Sequence, residues 1–118
     1  MTAVIEVSGK GSVFKAAAAQ VSGARKGRAA DFHLSFESAR SLFSELTPAR
    51  LDLLDTLRRL GPCSVYALAK AAERNDSNVH TDVARMEELG LIERSESNEV
   101  LVPCESVEIV LPLARAVA

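Results

Sequence analysis

The chain has 118 residues, which fits one domain that can bury its own core but is small enough for a partner subunit to help. Hydrophobic residues make up 47% of it and aromatic residues only 4%, so alanine, leucine and valine must build that core. A net charge of −2 excludes attachment to nucleic acid by bulk electrostatic attraction alone. Residues 1–36 nevertheless carry five bases and two acids, so any DNA binding must draw on this basic part and on a few placed groups.

The sequence holds no sign of a membrane span or a metal site. No apolar run approaches the roughly 20 residues of a transmembrane helix, and the N-terminus lacks the pattern of a secretory signal. We therefore expect a cytoplasmic protein with no membrane partner. Cys63, Cys104, His33 and His80 show no metal-ligand spacing. We expect no metal and no cofactor, and two cysteines that serve packing, with a redox or metal role as the alternative.

The first third of the chain predicts a strand, a helix and a second strand. Residues 3–7 (AVIEV) form a short β-type run, and the alanine-rich residues 13–21 favour a helix that Ser12 would cap. The basic segment 23–29 (GARKGRA) fits either a solvated linker or an arm that contacts the DNA backbone.

Residues 31–36 (DFHLSF) have the alternation of a half-buried strand. Phe32, Leu34 and Phe36 share one side of it, and His33 and Ser35 share the other, so we expect His33 at the surface. An amphipathic helix is predicted next, over residues 37–46. Its core positions are spaced i, i+3, i+4, i+7 and are Ala39, Leu42, Phe43 and Leu46.

Capping residues mark the starts of three further predicted helices, of which the first two follow here. Thr47 caps a helix with Pro48 at its first position, where the missing N–H costs nothing. Its expected core residues are Leu51, Leu54, Leu57 and Leu60. Gly61-Pro62 ends it, and Ser64 caps the next helix. The core residues expected of that helix are Val65, Leu68, Ala69 and Ala72.

A polar turn over residues 73–76 leads into the last predicted helix, residues 77–89, with Ser77 as its cap. We expect Asn75 to supply the left-handed conformation in that turn. The apolar residues at helical spacing are Val79, Val83, Met86 and Leu89. Gly90 can end the helix because it lacks a Cβ.

Short strands are predicted after this helix. Residues 91–94 (LIER) and 99–102 (EVLV), joined by residues 95–98, form a hairpin that Pro103 ends. A last β-type run covers residues 107–113, and its proline suits an edge or a strand end. We expect it to pair with one of the two N-terminal strands or with a second subunit.

Residues 46–94 resemble the winged helix-turn-helix regulators described as MarR-like or ArsR-like. The run SNVHTDV…EELGLIER, followed by a hairpin, is most similar to a small prokaryotic family of DNA-binding proteins, some of whose members are antitoxins paired with toxins. The resemblance covers roughly residues 36–113. It implies an α+β, mainly α fold with a winged helix-turn-helix domain over 37–118 and a C-terminal strand. The strand-helix-strand extension over 1–36, which the resemblance covers much less, is a candidate dimerisation element. The resemblance also implies a homodimeric DNA-binding transcriptional regulator without a cofactor.

The helix over residues 77–89, on the order of 20 Å long, would lie in the major groove. Arg85 would contact guanine, Asn78 adenine, and Thr81 a thymine methyl group. Serines at helix starts and nearby basic or amide side chains would contact phosphates. The complete set of candidate DNA-binding residues is Ser64, Lys70, Arg74, Asn75, Ser77, Asn78, His80, Thr81, Arg85 and Ser97.

Each of these residues also has an ordinary structural interpretation. Ser64 and Ser77 are caps with or without DNA, and Arg85 can pair along its helix with Asp82 or Glu88. The acidic surface favours an alternative function, an antitoxin-type module that binds a partner toxin. An enzyme is not expected, because no nucleophile with a base, no glycine-rich phosphate loop and no paired carboxylates can be picked out.

Overall fold

The computed structural model describes residues 1–8 and 31–113. The predicted helix over residues 13–21, its Ser12 cap and the basic segment 23–29 lie outside these residues. The described chain has an α+β fold of four helices and five strands. Their order is β1 (Thr2–Val7), β2 (Phe32–Phe36), α1 (Ala39–Glu45), α2 (Pro48–Leu60), α3 (Val65–Ala72), α4 (Asp76–Leu89), β3 (Glu93–Arg94), β4 (Val100–Leu101) and β5 (Ser106–Val110).

The chain divides into two compact units. We call Met1–Glu45 with Ser106–Ala118 the sheet unit, and Leu46–Glu105 the helical unit. This division differs from the predicted one after residue 36. The reasons are that α1 lies in the sheet unit and that β5 joins the sheet of β1 and β2, which separates the end of the chain from α2, α3 and α4.

The sheet unit is built on a three-stranded parallel sheet in the order β2-β1-β5. Residues 31–36 and the C-terminal run therefore form strands as predicted, and β5 pairs with the N-terminal strand. Ala3 and Ile5, on the central strand, are fully buried. Their neighbours in register are Phe32 and Leu34 on β2 and Val107 and Ile109 on β5. These residues form the apolar face of the sheet, because partners in register point to the same side.

Three expectations for the sheet unit are wrong. Ala39, a predicted core residue, is exposed at the start of α1. His33 is part-buried and not at the surface, with its side chain 14% exposed, because its Nδ1 lies against Glu6 on the neighbouring strand at 3.8 Å. Phe43 is 46% exposed, although it fits the helical pattern of α1. Leu42 is the buried residue of α1, and Leu46, which follows the helix and belongs to the helical unit, is buried as well. The covered stripe is therefore narrower than the predicted one, and Phe43 lies about 100° round the helix from Leu42.

In the helical unit, α2 begins as predicted. The Thr47 side chain accepts a hydrogen bond from the Arg50 N–H at 3.2 Å, and Pro48 is the first helical residue. The buried residues are Leu53, Leu54 and Leu57, whereas Leu51 is only half-buried and Leu60 is 49% exposed.

The prediction that Leu60 is buried is therefore wrong, and helix geometry gives the reason. Leucines three residues apart fall about 60° short of a full turn at each step, because a residue advances by about 100°. Leu51 and Leu60 therefore stand on opposite sides of α2.

The connection between α3 and α4 corrects two further predictions. Ser64 caps α3 as expected. The left-handed residue is Glu73 (φ 54°, ψ 44°) and not Asn75, because the chain turns one residue after α3. The Glu73 N–H bonds to the Lys70 carbonyl at 3.2 Å, which offsets the unusual conformation.

Asn75, and not Ser77, caps α4. Its Oδ1 accepts hydrogen bonds from the N–H groups of Ser77 and Asn78, at 2.9 and 3.3 Å. One asparagine oxygen thus satisfies two of the unpaired N–H groups at the helix start. As a result α4 begins at Asp76.

The end of α4 and the hairpin follow the predicted order with shorter strands. Gly90 has a positive φ of 87° and ends the helix. The N–H groups of Leu91 and Ile92 both bond to the Met86 carbonyl, at 2.9 and 3.3 Å, and their side chains are buried. These two residues therefore close the helix instead of extending β3, which pairs with β4 in an antiparallel hairpin.

The core of the helical unit confirms the predicted apolar positions on α4. Val79, Val83 and Met86 are fully buried, together with Leu57 and Leu68. Cys104 is buried and Cys63 half-buried, both as free thiols, and burial raises the pKa of each thiol. Within residues 1–8 and 31–113 no helix is long and apolar enough to cross a membrane.

Candidate nucleic-acid interface

Five of the ten predicted DNA-contacting residues lie on α4, namely Ser77, Asn78, His80, Thr81 and Arg85. Val79, Val83 and Met86 point into the core, so the opposite side of the helix faces solvent. Among the ten predicted residues the exposed ones are Ser64, Lys70, Asn75, Ser77, Asn78, His80, Thr81 and Ser97. The other two, Arg74 and Arg85, are half-buried.

In the first turns of α4 the neutral side chains of Ser77 and Thr81 form short-range hydrogen bonds, beside the exposed carboxylate of Asp76. The Ser77 hydroxyl donates to Asn75 Oδ1 at 2.7 Å, and the Thr81 hydroxyl donates to the Ser77 carbonyl at 3.1 Å. These hydrogen bonds fix the side chain of Thr81 along the helix. The side-chain amide of Asn78 is exposed, and no described residue hydrogen-bonds to it. Asn78 is thus the residue on this surface whose donors and acceptor are most available.

Asp82 lies one residue beyond Thr81 and is the centre of an ion-pair network. Its Oδ1 accepts from Arg50 Nε at 2.9 Å and its Oδ2 accepts from Arg74 Nη2 at 2.8 Å. Arg50 belongs to α2 and Arg74 to the connection before α4, so one carboxylate ties three segments together. We call these three residues the Asp82 cluster.

The Asp82 cluster is largely shielded from solvent, with Asp82 and Arg50 side chains 14% and 16% exposed. Burial acts to raise the pKa of Asp82, but the hydrogen bonds from Arg50 and Arg74 outweigh it and hold the pKa below its ordinary value. Arg74, predicted to contact phosphate, is therefore committed to Asp82. Its Nη1 is buried and has no hydrogen-bond partner among the described residues.

The last turns of α4 carry further ion pairs. Arg85 Nη1 bonds to Glu88 Oε2 at 2.9 Å, which is one of the two pairings that the sequence suggested. Glu87 accepts a hydrogen bond from Arg94 of β3 at 2.6 Å. This hydrogen bond raises the pKa of Arg94 and holds the hairpin against the end of α4.

The hairpin tip and α3 supply the remaining predicted residues. Ser97 Oγ lies 2.9 Å from Ser95 Oγ in the turn of the hairpin. On α3, Lys70 Nζ lies 5.8 Å from the ring centre of Tyr66, a cation–π distance. Tyr66 is an exposed aromatic residue one turn before Lys70, and the sequence reasoning missed it. The signal was there, since residues at i and i+4 share a helix face.

The helical unit is acidic as a whole, with seven bases and eleven acids over residues 46–105. Several of these acids are neutralised in pairs, namely Asp82, Glu87 and Glu88. The first turns of α4 hold few carboxylates that would repel DNA phosphates. His80 and Asp76 are the exception there, with Nε2 and Oδ2 separated by 3.6 Å.

A protein-family model described as HVO_A0114 matches residues 45–109. The match takes in more than half of the chain, including all of the helical unit and most of β5. Comparison with curated proteins and with solved structures finds no match.

Proposed function

The chain belongs to the HVO_A0114 family, and from that premise we propose that it is a sequence-specific transcriptional regulator that binds double-stranded DNA. In this proposal the helical unit is a winged helix-turn-helix of the MarR-like or ArsR-like kind. Helix α4 is its recognition helix, the β3–β4 hairpin is its wing, and the protein acts as a homodimer in the cytoplasm without a cofactor.

The observation that carries the proposal is the two-sided character of α4. Its apolar stripe is fully buried, while its first turns present exposed, neutral polar side chains of Ser77, Asn78 and Thr81. The helix has 14 residues and so is about 21 Å long, enough to cross the major groove. Helix-turn-helix proteins read base edges with the first turns of such a helix.

Each exposed side chain has a distinct role in this proposal. The free amide of Asn78 can donate to and accept from adenine, and the Thr81 methyl group can pack against thymine. Arg85 can reach guanine only by giving up Glu88, so its contact is formed at the expense of an existing ion pair. Lys70 and the serine at the start of α3 are the phosphate contacts. Arg74 is reassigned from phosphate contact to the Asp82 cluster.

A homodimer explains how an acidic unit binds DNA at all. In the helical unit of one copy most bases are held in ion pairs. Two copies related by a two-fold axis place two α4 helices in successive major grooves, about 34 Å apart. The basic residues of positions 1–36 add to the attraction in each copy.

The test is selection of bound duplexes from a random double-stranded DNA library, followed by affinity measurements on the enriched sequence. We expect a two-fold related motif, and a loss of about 100-fold in affinity for Asn78→Ala combined with Thr81→Ala, at roughly 1–3 kcal/mol per base contact. The matched control is Thr56→Ala on α2, because Thr56 makes the same kind of hydroxyl bond, to the Asp52 carbonyl at 3.0 Å. Failure to enrich any motif contradicts the proposal.

A second candidate function is an antitoxin-type module that binds a toxin protein. The observation that favours it is the excess of acids in the helical unit, which suits a basic partner better than it suits DNA. Co-expression with the product of the adjacent gene tests it. A stable complex without any DNA binding by the chain would decide for this function, and both activities together would fit an antitoxin that regulates its own operon.

A further inference from the structure

The two edges of the three-stranded sheet differ in how much apolar surface they expose. The aromatic and leucine side chains of edge strand β2 are all part-buried. On β5 and just after it, Ile109, Val110 and Leu111 are 37–44% exposed, and Leu113 is 88% exposed. A solvent-facing patch of this kind marks an interaction site in a protein that is otherwise normally packed.

Strand β5 also lacks the features that keep edge strands apart. Its one charged residue is Glu108, it has no lysine, and Pro112 lies beyond its end. Within the described part of the chain, β5 pairs only with β1. Its outer backbone N–H and C=O groups are therefore a template for a further strand.

We propose that this strand is β5 of a second copy of the chain, paired antiparallel about a two-fold axis at Ile109. In this register Ile109 faces its own copy, Glu108 faces Val110, and Val107 faces Leu111. Centring the pair on Glu108 would instead place two carboxylates opposite each other, which destabilises antiparallel pairs. The position of the single charge thus excludes the register centred on Glu108, whereas centring on Ile109 pairs residues 107–111 with the same residues of the copy.

The apolar face of the sheet supports the same register. Val107 and Ile109 lie on the side of the sheet that holds the buried residues Ala3 and Ile5. Residues two apart along a strand share a face, so Leu111 continues it. Antiparallel pairing at Ile109 sets Val107 and Leu111 of the two copies side by side and extends this face into a sheet of six strands.

This inference deepens the proposed function, because it names the partner that a two-fold DNA reader requires. Its test uses no DNA, so the interface and the DNA-binding activity can fail independently.

The sharpest test places opposite charges at residue 110, which is exposed and faces Glu108 of the copy in the proposed register. The mass in solution of the full chain is measured over a dilution series by light scattering. We expect a dimer for the natural chain, a dimer constant weakened by about 10-fold for Val110→Glu, and a smaller change for Val110→Lys, since like charges across a strand pair repel and opposite charges attract. A monomeric natural chain, or equal effects of the two substitutions, overturns the proposal.

A cross-linking experiment tests directly whether the two-fold axis passes by Ile109. Ile109→Cys is introduced with Cys63→Ser and Cys104→Ala, and a short bis-maleimide is added to the dilute protein. We expect covalent dimers, because Ile109 lies beside its copy. The matched control is Leu60→Cys in the same background, which is similarly exposed but belongs to the helical unit. Equal cross-linking of both variants contradicts the two-fold axis at Ile109.

Discussion

The two halves of α4 differ in what their polar side chains do. In the first half, Ser77, Asn78 and Thr81 are neutral, exposed and bonded at most within their own helix. In the second half, from Asp82 onward, the charged side chains form ion pairs, and three of these pairs reach other segments of the helical unit. The contrast suggests a division of labour in one helix, in which the second half fixes the position of the first half and leaves it available for a ligand.

Removing the carboxylate of Asp82, in the second half of α4, should have the largest effect on the free energy of unfolding. Asp82→Ala removes the acceptor that two largely buried guanidinium groups share, and losing one side of a buried ion pair costs about 3 kcal/mol of the free energy of unfolding. Urea denaturation at neutral pH measures this. The matched control is Asp55→Ala, whose pair with Arg59 is exposed and should be worth less than about 1 kcal/mol. Equal losses would show that the cluster has no special role.

The same carboxylate predicts a pH dependence with a definite sign. The pKa of Asp82 is lower in the folded protein than in the unfolded chain. Its contribution to stability is therefore complete above the ordinary aspartate pKa of about 3.9 and is lost as the pH falls through the lower folded value. The stability difference between the natural chain and Asp82→Asn should be constant from pH 7 to about 5 and shrink below about 4. A difference that stays constant down to acid unfolding would assign it to another cause.

The cap of α4 gives a smaller effect at the start of the helix. Asn75→Ala removes the oxygen that accepts from two backbone N–H groups, and we expect a loss of about 1 kcal/mol in the free energy of unfolding. Ser77→Ala, at the position that the sequence suggested as the cap, should cost less than half of that. Thermal denaturation of both variants decides between the two caps, and the reverse order would favour Ser77.

The available half of α4 should show the smallest effect on stability. Asn78→Ala and Thr81→Ala remove exposed side chains, so each should change the free energy of unfolding by less than about 0.5 kcal/mol. Chemical denaturation checks this on the same samples that are used for DNA binding. A large loss of stability would mean that these residues are structural, and would also remove the basis for interpreting their effect on affinity.

Local patterns predicted the secondary structure well. The spacing of Val79, Val83 and Met86 indicated which side of α4 is buried, and Thr47-Pro48 marked the start of α2, since each depends only on neighbouring residues. The prediction that Leu60 is buried was wrong because residues spaced three apart shift steadily round a helix and do not stay on one side. The prediction that Asn75 takes the left-handed conformation was wrong. A helix end can impose that conformation on a residue such as Glu73, whatever its own preference.

The Asp82 cluster could not be predicted from the sequence because the partners of Asp82 are distant from it along the chain. Arg50 and Arg74 lie 32 and 8 residues from Asp82, and no local period relates them. The arginine that looked most suited to phosphate was thus paired inside the protein. A lone acid beside the buried stripe of a helix, with arginines in the preceding segments, is the signal that points to such a cluster.

One shared acceptor for two arginines also constrains how related sequences can change. The residues of the Asp82 cluster all lie inside the part of the chain that matches the HVO_A0114 family. A relative that replaces the aspartate alone would leave two poorly solvated arginines without the acceptor that they share. Across the family these three positions should therefore change together, for example to three neutral residues. The exposed positions 78 and 81 should vary independently of those three, and under the proposed function they should differ between relatives that bind different DNA sequences.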